Sequence, residues 1–289
     1  AHFHVADACF QPRIAGLEAS ARSHAAQATR NAFLRDAAVA YWELVRTEQQ
    51  HAVARETLQQ TQQLAELTDA YARTGQGLKA DHQRVEAELA VRRSDVLQAE
   101  EAARVASAQL VRLLGGDPAS RIVPAEQTVV PLDLTPADTS AAELVQLGLS
   151  RRPELAESRH LVEQACQRLQ RERFAPLVPS VILGVSYGGF GAGVGSQIAN
   201  GGDRLDADAA AYWELRQLGL GERAIRAEAS SRVRQAELRQ VADLDRVAQE
   251  VVTAHAQVQT RVQRIEIARA GIPAAEESFR LNWERIKNA

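Results

Sequence analysis

Several groups of residues have types and spacings that chemistry could use. His2 and His4 stand two apart, a strand spacing that puts both imidazoles on one side, ready for a metal, but no third ligand is in reach. Asp206, Asp208 and Glu214 share one face if their segment is a strand, and paired carboxylates are the material of general acid–base work. No nucleophile or base pattern accompanies them, so a polar lining is expected there rather than catalysis. The run "GGFGAGVGS" (188–196) follows a strand-like stretch, as a phosphate-cradling loop does. Yet Val194 occupies the step where a third glycine is required, and "QIANGGD" follows in place of a helix. Cys9 and Cys166 stand alone, without CxxC spacing or a histidine cluster. "ADAC" also lacks the aliphatic residue that precedes a lipidated cysteine. The expectation is a non-enzyme without cofactor or metal.

The chemistry being thin, the elements carry the information. The chain has 289 residues, 45% hydrophobic, 25% charged and only 4% aromatic, with a net charge of −3. That balance gives no basic face for nucleic acid. Its wealth of Ala, Leu, Val, Gln, Glu and Arg is the bias of long packed helices. No run of 18 apolar residues exists, so no transmembrane helix is expected. The opening "AHFHVADACF" has neither the positive nor the apolar region of a signal peptide, and the chain has no methionine. A piece missing its natural start is expected.

From 17 to about 73 there is neither proline nor glycine. A continuous helix there would span roughly 85 Å at 1.5 Å per residue. "YARTGQGLKAD" (71–81) interrupts it with Gly75 and Gly77, which supply the backbone freedom of a reversal. A second helix is predicted from about Lys79 to Leu114. Its seam of Val85, Leu89, Arg92, Val96, Ala99, Ala103, Ala106, Leu110 and Leu113 steps by four and three, the coiled-coil repeat, broken only by Arg92. Gly115 and Gly116 suit the C-cap, and Asp117-Pro118 prevents continuation. A Pro- and Val-rich connector over 117–139, a short helix over 140–149 and a helix opened by Pro153 and ending near Phe174 follow.

The period then changes to two. Val181, Leu183, Val185 and Tyr187 alternate with Ile182, Gly184, Ser186 and Gly188. Ala207, Ala209, Ala211, Trp213 and Leu215 alternate with Asp206, Asp208, Ala210, Tyr212 and Glu214. Period two predicts strands with one apolar and one small or polar face, joined by the long glycine-rich loop "GAGVGSQIANGGD". Periodicity alone fits both a membrane-barrel hairpin and a soluble hairpin packed on a helix. From Gly221 the helical pattern returns to about Pro273, with a seam through Leu244, Ala248, Val251, His255, Val258, Val262, Ile265, Arg269 and Ile272. His255 reads as a packed, register-setting polar residue. Arg55 and Arg269 fit either interhelical pairing or a tunnel lining.

The first and last long helices superimpose at an offset of 214 residues without gaps. Leu34, Ala37, Tyr41, Leu44, Glu48, His51, Arg55 and Leu58 fall on Ala248, Val251, His255, Val258, Val262, Ile265, Arg269 and Ile272. The unit is hairpin, long helix, turn, long helix, connector, and the offset puts a second turn at Ala289. A fourth long helix is therefore expected to be missing from this stretch. Two hairpins cannot close a barrel, and open edges cannot face lipid, so membrane strands would require several chains to share one barrel.

In this order of elements the chain resembles the TolC-type outer-membrane efflux channel family. The resemblance rests on "RPELAESR" opening the second half, "SVILGVSYGGFG", "AYWELRQLGLGERA" at the strand-to-helix entry, and "YARTGQGLKAD" at the helical turn. It implies a mainly α fold with a small β part, in which coiled-coil hairpins build a periplasmic tunnel and each chain lends strands to a homotrimeric outer-membrane barrel. It also implies an efflux or type I secretion conduit, docked to a periplasmic adaptor and an inner-membrane pump. On this template 1–16 ends a first membrane strand, 17–116 is a helical hairpin with its tip near 74–78, and 117–151 is the connector region. Residues 152–175 then open the second repeat, 176–218 form the barrel hairpin, and 219–289 form the third long helix. The adaptor-docking motif falls on Thr74, Gly75 and Gln76, with Asp81 beginning the return helix. Gln76 departs from the commoner aliphatic residue. Asp206, Asp208 and Glu214 become candidates for the barrel lumen. The family's gate carboxylates belong to the missing helix, so no gate residue is carried over. A periplasmic adaptor or other coiled-coil scaffold is the competing class. It normally has one hairpin flanked by lipoyl-like segments, without a repeat.

Overall fold

A computed structural model describes the chain except residues 1, 118, 127–133, 135, 137, 138, 195, 196, 215, 288 and 289, and side chains are not described at 2, 190, 192–200 and 287. Most of the predicted connector therefore lies outside the described residues, as does the expected second turn at Ala289. Strand β1 (His2–His4) leads into helix α1 (Val5–Thr74) and helix α2 (Lys79–Leu114). Helices α3 (Ala141–Arg151) and α4 (Pro153–Phe174) follow. Strands β2 (Ser180–Val194) and β3 (Gln197–Tyr212) then precede helix α5 (Leu220–Lys287). Contacts divide the chain into two units, Ala1–Ala28 with Asp138–Ala289, and Thr29–Ala137.

The Thr29–Ala137 unit is built on the hairpin of α1 and α2. Leu44 packs with Ala106 and Leu110, and Ala40, Tyr41 and Ile122 close over them. Pairs so placed about residue 75 require antiparallel helices. The stepped seam of α2 is its inward stripe: Leu89, Ala103, Ala106 and Leu110 are buried, joined by Ser107 and Val111 beside them. Arg92, the break in the seam, turns to its own helix, donating to Asp95 at 2.9 Å and to Glu88. Beyond α2, Gly115 takes the left-handed conformation at φ 68°, and Gly116 N–H donates to the Val111 carbonyl at 3.0 Å. The chain then folds back, and Ile122 N–H donates to Ser107 Oγ at 2.8 Å.

In the other unit α4 runs antiparallel to the start of α1. Gln164 donates to Glu18 at 3.0 Å, Arg171 pairs with Asp7, and the Phe10–Phe174 and His24–His160 rings stack at 5.9 and 5.4 Å. These contacts explain why α1 opens at Val5 rather than at 17. Ala6, Ile14 and Ala21 are buried, and tertiary packing outweighs the propensity penalties of Pro12 and Gly16. Helix α5 likewise passes through Pro273, since one lost backbone bond does not end a 68-residue helix. Helix α3 starts with a capping box between Ser140 and Glu143, and the Ser140 amide and hydroxyl hold the Glu143 carboxyl below the usual carboxylate range. Gly148 lets α3 approach α5 closely, since a Cβ there would lie 3.2 Å from Val251 Cγ2. Val247, also on α5, is fully buried. From 256 to 282, by contrast, every residue of α5 is exposed, including the seam residues Val258, Val262, Ile265 and Ile272. His255 is half-buried just before this stretch, and Arg269 is exposed within it.

The sheet has the order β1-β2-β3, antiparallel throughout, with Phe3 opposite Val181, Ser180 opposite Tyr212 and Tyr187 opposite Leu205. It departs from the expectation in length. The glycine-rich run continues the ladder past an irregularity at Phe190/Ala192 to Val194 paired with Gln197, leaving only 195–196 between the strands. Backbone groups pair whatever side chains they carry, so glycines that hide the period do not end the strand. Tyr187 is consequently mid-strand rather than near an end.

Candidate functional sites at the helical tip and the strand hairpin

At the tip, four residues join α1 to α2. Gly75 has φ 77°, a region where side chains clash with the following carbonyl, and nothing lies within 4 Å of where its Cβ would be. Thr74 Oγ1 donates back to the Ala70 and Tyr71 carbonyls at 3.2 and 3.1 Å, folding its hydroxyl onto the last turn of the helix. Gly77 N–H donates to the Tyr71 carbonyl at 3.0 Å. A Cβ on Gly77 would stand 3.0 Å from Tyr71 Cβ, so this glycine is required by close approach rather than by φ. Asp81 lies in the first turn of α2, where a carboxylate favours the positive end of the helix dipole. Behind the tip, Asp69 pairs with Arg73 at 2.7 Å and faces His82 at 3.9 Å. The outcome is a hydrogen-bonded turn that exposes Thr74, Gly75, Gln76 and Leu78.

The hairpin separates two chemistries by register. One face carries Phe3, Val181, Leu183, Val185, Tyr187, Leu205, Ala207, Ala209 and Ala211, and no charge lies between Val181 and Tyr187. These seven residues of β2 rise about 20 Å at 3.3 Å per residue. Val185 is 76% exposed, Tyr187 71% and Leu205 69%, so this apolar face has no cover among the described residues. At its far end Tyr187 donates to Asp203 at 3.2 Å. The other face carries His4, Ser180, Ile182, Gly184, Ser186 and Gly188, with Arg204, Asp206, Asp208, Ala210 and Tyr212. Arg204 donates to Asp206 at 2.6 Å, and His4 Nδ1 and Ser180 Oγ are 2.7 Å apart. Asp208 lies over Gly184, where any Cβ would overlap its carboxylate.

Asp206 and Asp208 therefore share the polar face, and Glu214 lines a cavity with His4 and Ser180 of that face. The strand ends at Tyr212, and Glu214 falls in the joint to α5, where the ladder no longer dictates alternation. No helix follows the glycine run, which removes the phosphate-loop geometry. His2 has no described side chain, and Cys9 is exposed and Cys166 half-buried, both as free thiols. Among the described residues no helix is long and apolar enough to cross a membrane, a fact that leaves strands untouched.

One feature of the joint escaped sequence reasoning. Gln217, Leu218 and Gly219 adopt φ 48°, 56° and 91° in succession. Neither Gln nor Leu signals a left-handed backbone. The closest available clue was Gly221, which the turn brings against Arg216: a Cβ would stand 3.0 Å from Arg216 Cβ and 3.1 Å from its carbonyl oxygen.

No family model matches the chain, and no curated protein does. Solved structures do. A membrane protein from Pseudomonas aeruginosa is 22% identical at a TM-score of 0.82, covering 96% of this chain and 62% of its own. The outer membrane protein VceC from Vibrio cholerae is 20% identical at 0.78, covering 100% and 67%. The open-state MtrE outer membrane channel from Neisseria gonorrhoeae is 20% identical at 0.77, covering 95% and 60%. This chain thus spans between 60% and 67% of the length of those structures. Long helices joined through an exposed glycine turn, and carrying a hairpin with one apolar and one polar face, make this the fold of the TolC-type outer-membrane channels.

Proposed function

We propose that this chain is part of an outer-membrane channel, a passive conduit for small molecules or proteins in a tripartite efflux or type I secretion system. The observation that carries the proposal is the division of the hairpin: exposed Val185, Tyr187 and Leu205 on one face, and Arg204, Asp206 and Asp208 on the other. That is the alternation of a barrel wall between lipid and a wet lumen. A three-stranded sheet cannot close, so the barrel takes strands from several copies, and a homotrimer is the assembly this reading adopts. The sheet lies in the outer membrane and the helices in the periplasm. Thr74, Gly75 and Gln76 form the surface for the periplasmic adaptor, through which the inner-membrane pump is engaged. The fold likeness to outer-membrane channels supports the same reading. Transport of this kind calls for no catalytic residue, cofactor or metal.

Fractionation of the full-length protein tests this first. A trimer in the outer membrane is expected, and a soluble periplasmic protein would instead mean the adaptor or scaffold class. Gly75→Glu should then abolish export while trimers still assemble. Asp208→Ala should change single-channel conductance without unfolding the trimer.

A further inference from the structure

We infer that the left-handed turn after β3 is a membrane-interface anchor, inserting Leu218 among phospholipid acyl chains at the periplasmic rim of the barrel; this rests on the membrane reading of the hairpin. Leu218 is 98% exposed on a backbone at φ 56°, and the preceding Gln217 is at φ 48°. Left-handed non-glycine residues persist only where the surroundings impose them. Two features impose this one. Gly221 closes on Arg216, where a Cβ would stand only 3.0 Å from Arg216 Cβ, and the buried Glu222 faces Arg216 at 3.8 Å. The chain thus keeps a strained turn whose effect is to hold an aliphatic side chain fully in the open.

Position identifies the occupant. Ala211 on β3 closes the apolar face of the hairpin opposite Val181, and Trp213, also exposed, comes just after the strand's last residue, Tyr212. An aromatic residue at the end of an apolar band marks the level of the headgroups. Leu218 and Leu220 follow five and seven residues later, past Glu214, Arg216 and Gln217. On the partner strand's side, exposed Phe174 and Leu177 directly precede β2, whose first residue Ser180 pairs with Tyr212. Exposed apolar residues therefore lie near the helix-proximal end of both strands, interspersed with the charged Glu214 and Arg216, as at a membrane interface. Acyl chains just below the headgroups fit that surface, as they do the apolar side of interfacial segments.

The test uses the full-length protein reconstituted in phosphatidylethanolamine/phosphatidylglycerol vesicles, with Cys9 and Cys166 first replaced by serine. Leu218→Cys and, separately, Val185→Cys carry an environment-sensitive fluorophore, and acyl chains are brominated either near the headgroup or at mid-chain. Both probes should be quenched, Leu218 more by shallow bromines and Val185 more by deep ones. If Val185 is quenched while Leu218 stays in water, the anchor is overturned and the barrel reading stands. If the Leu218 probe shifts to the blue without quenching, a neighbouring protein chain covers it and the anchor is likewise overturned. If neither probe is quenched, the membrane reading itself fails.

Discussion

The chain turns through left-handed backbone both at the helical tip and at the strand-to-helix joint, but with different residues. At the tip the left-handed position is Gly75, where φ 77° meets no Cβ. At the joint it falls on Gln217 and Leu218 before Gly219 takes it over. Each turn also places one glycine against an earlier residue, Gly77 on Tyr71 and Gly221 on Arg216. The close approaches are solved identically, and only the strain is treated differently. A turn that has only to reverse two helices sheds its strain through glycine. A turn that keeps strain in Leu218 is held there by contacts, and what it holds outward is apolar. The tip holds its left-handed position in glycine and exposes Thr74 and Gln76, which can hydrogen-bond a partner protein, beside Leu78.

Three substitutions measure this contrast, and the largest effect is expected where the chain closes on itself at the tip. Gly77→Val forces a branched side chain into Tyr71, whose Cβ is 3.0 Å from even the first added carbon and whose backbone carbonyl carbon is 3.3 Å away. Overpacking of this kind costs about 1–3 kcal/mol. Amides over 70–82 should exchange with solvent about fivefold or more faster, at tenfold per 1.4 kcal/mol. Protection equal to the parent's would mean that the tip relaxes freely and that close approach does not define it.

A smaller loss is expected at the neighbouring glycine. Gly75→Ala meets no atom within 4 Å, so its whole effect is the left-handed φ, about 1 kcal/mol. The same exchange experiment reads it, and faster exchange confined to the tip is the expected pattern. Were Gly77→Val the milder of the two, φ rather than close approach would govern the turn.

What the sequence could disclose follows the same division. Side-chain periodicity was legible wherever side chains carry the contacts. The stepped seam of α2 predicted Leu89, Ala103, Ala106 and Leu110 at the helix interface, and they are buried. It missed Ser107, Val111 and, on α5, Val247, because packed helices bury a stripe two residues wide where a strict 3.5-step seam marks one. Alternation separated Asp206 and Asp208 from the apolar face, whereas Glu214 lies beyond the last ladder pair, where alternation no longer places a side chain. The strand ends at 188–194 and 197–203 were hidden because glycine has no side chain to alternate. The first turns of α1 were hidden because their support comes from Phe174 and Arg171, far away in sequence. At the tip the turn was written in Gly75 and Gly77, whereas the docking surface proposed there rests on resemblance, not on residue chemistry. The joint was illegible for the most local reason: Gln and Leu are ordinary helix formers, and only the folded contacts force them left-handed.

The smallest effect, and the one of opposite sign, is expected at the joint. Leu218→Gly removes a side chain that is 98% exposed, so no protein packing is lost. It relieves left-handed strain of roughly 1–2 kcal/mol and gives back about 0.5–1 kcal/mol through the freer unfolded chain, a net gain near 0.5 kcal/mol. In detergent, amides over 213–222 should therefore exchange about twofold more slowly than in the parent. At Gly75 any added carbon is a loss, while at Leu218 the removal of four is a gain, so the two turns should respond in opposite directions to the same exchange between glycine and a side chain. Faster exchange in Leu218→Gly would place the side chain in a contact that stabilises the joint within the protein. The strain would then serve packing, as it would in any buried turn, and the contrast with the tip would reduce to the choice of residue.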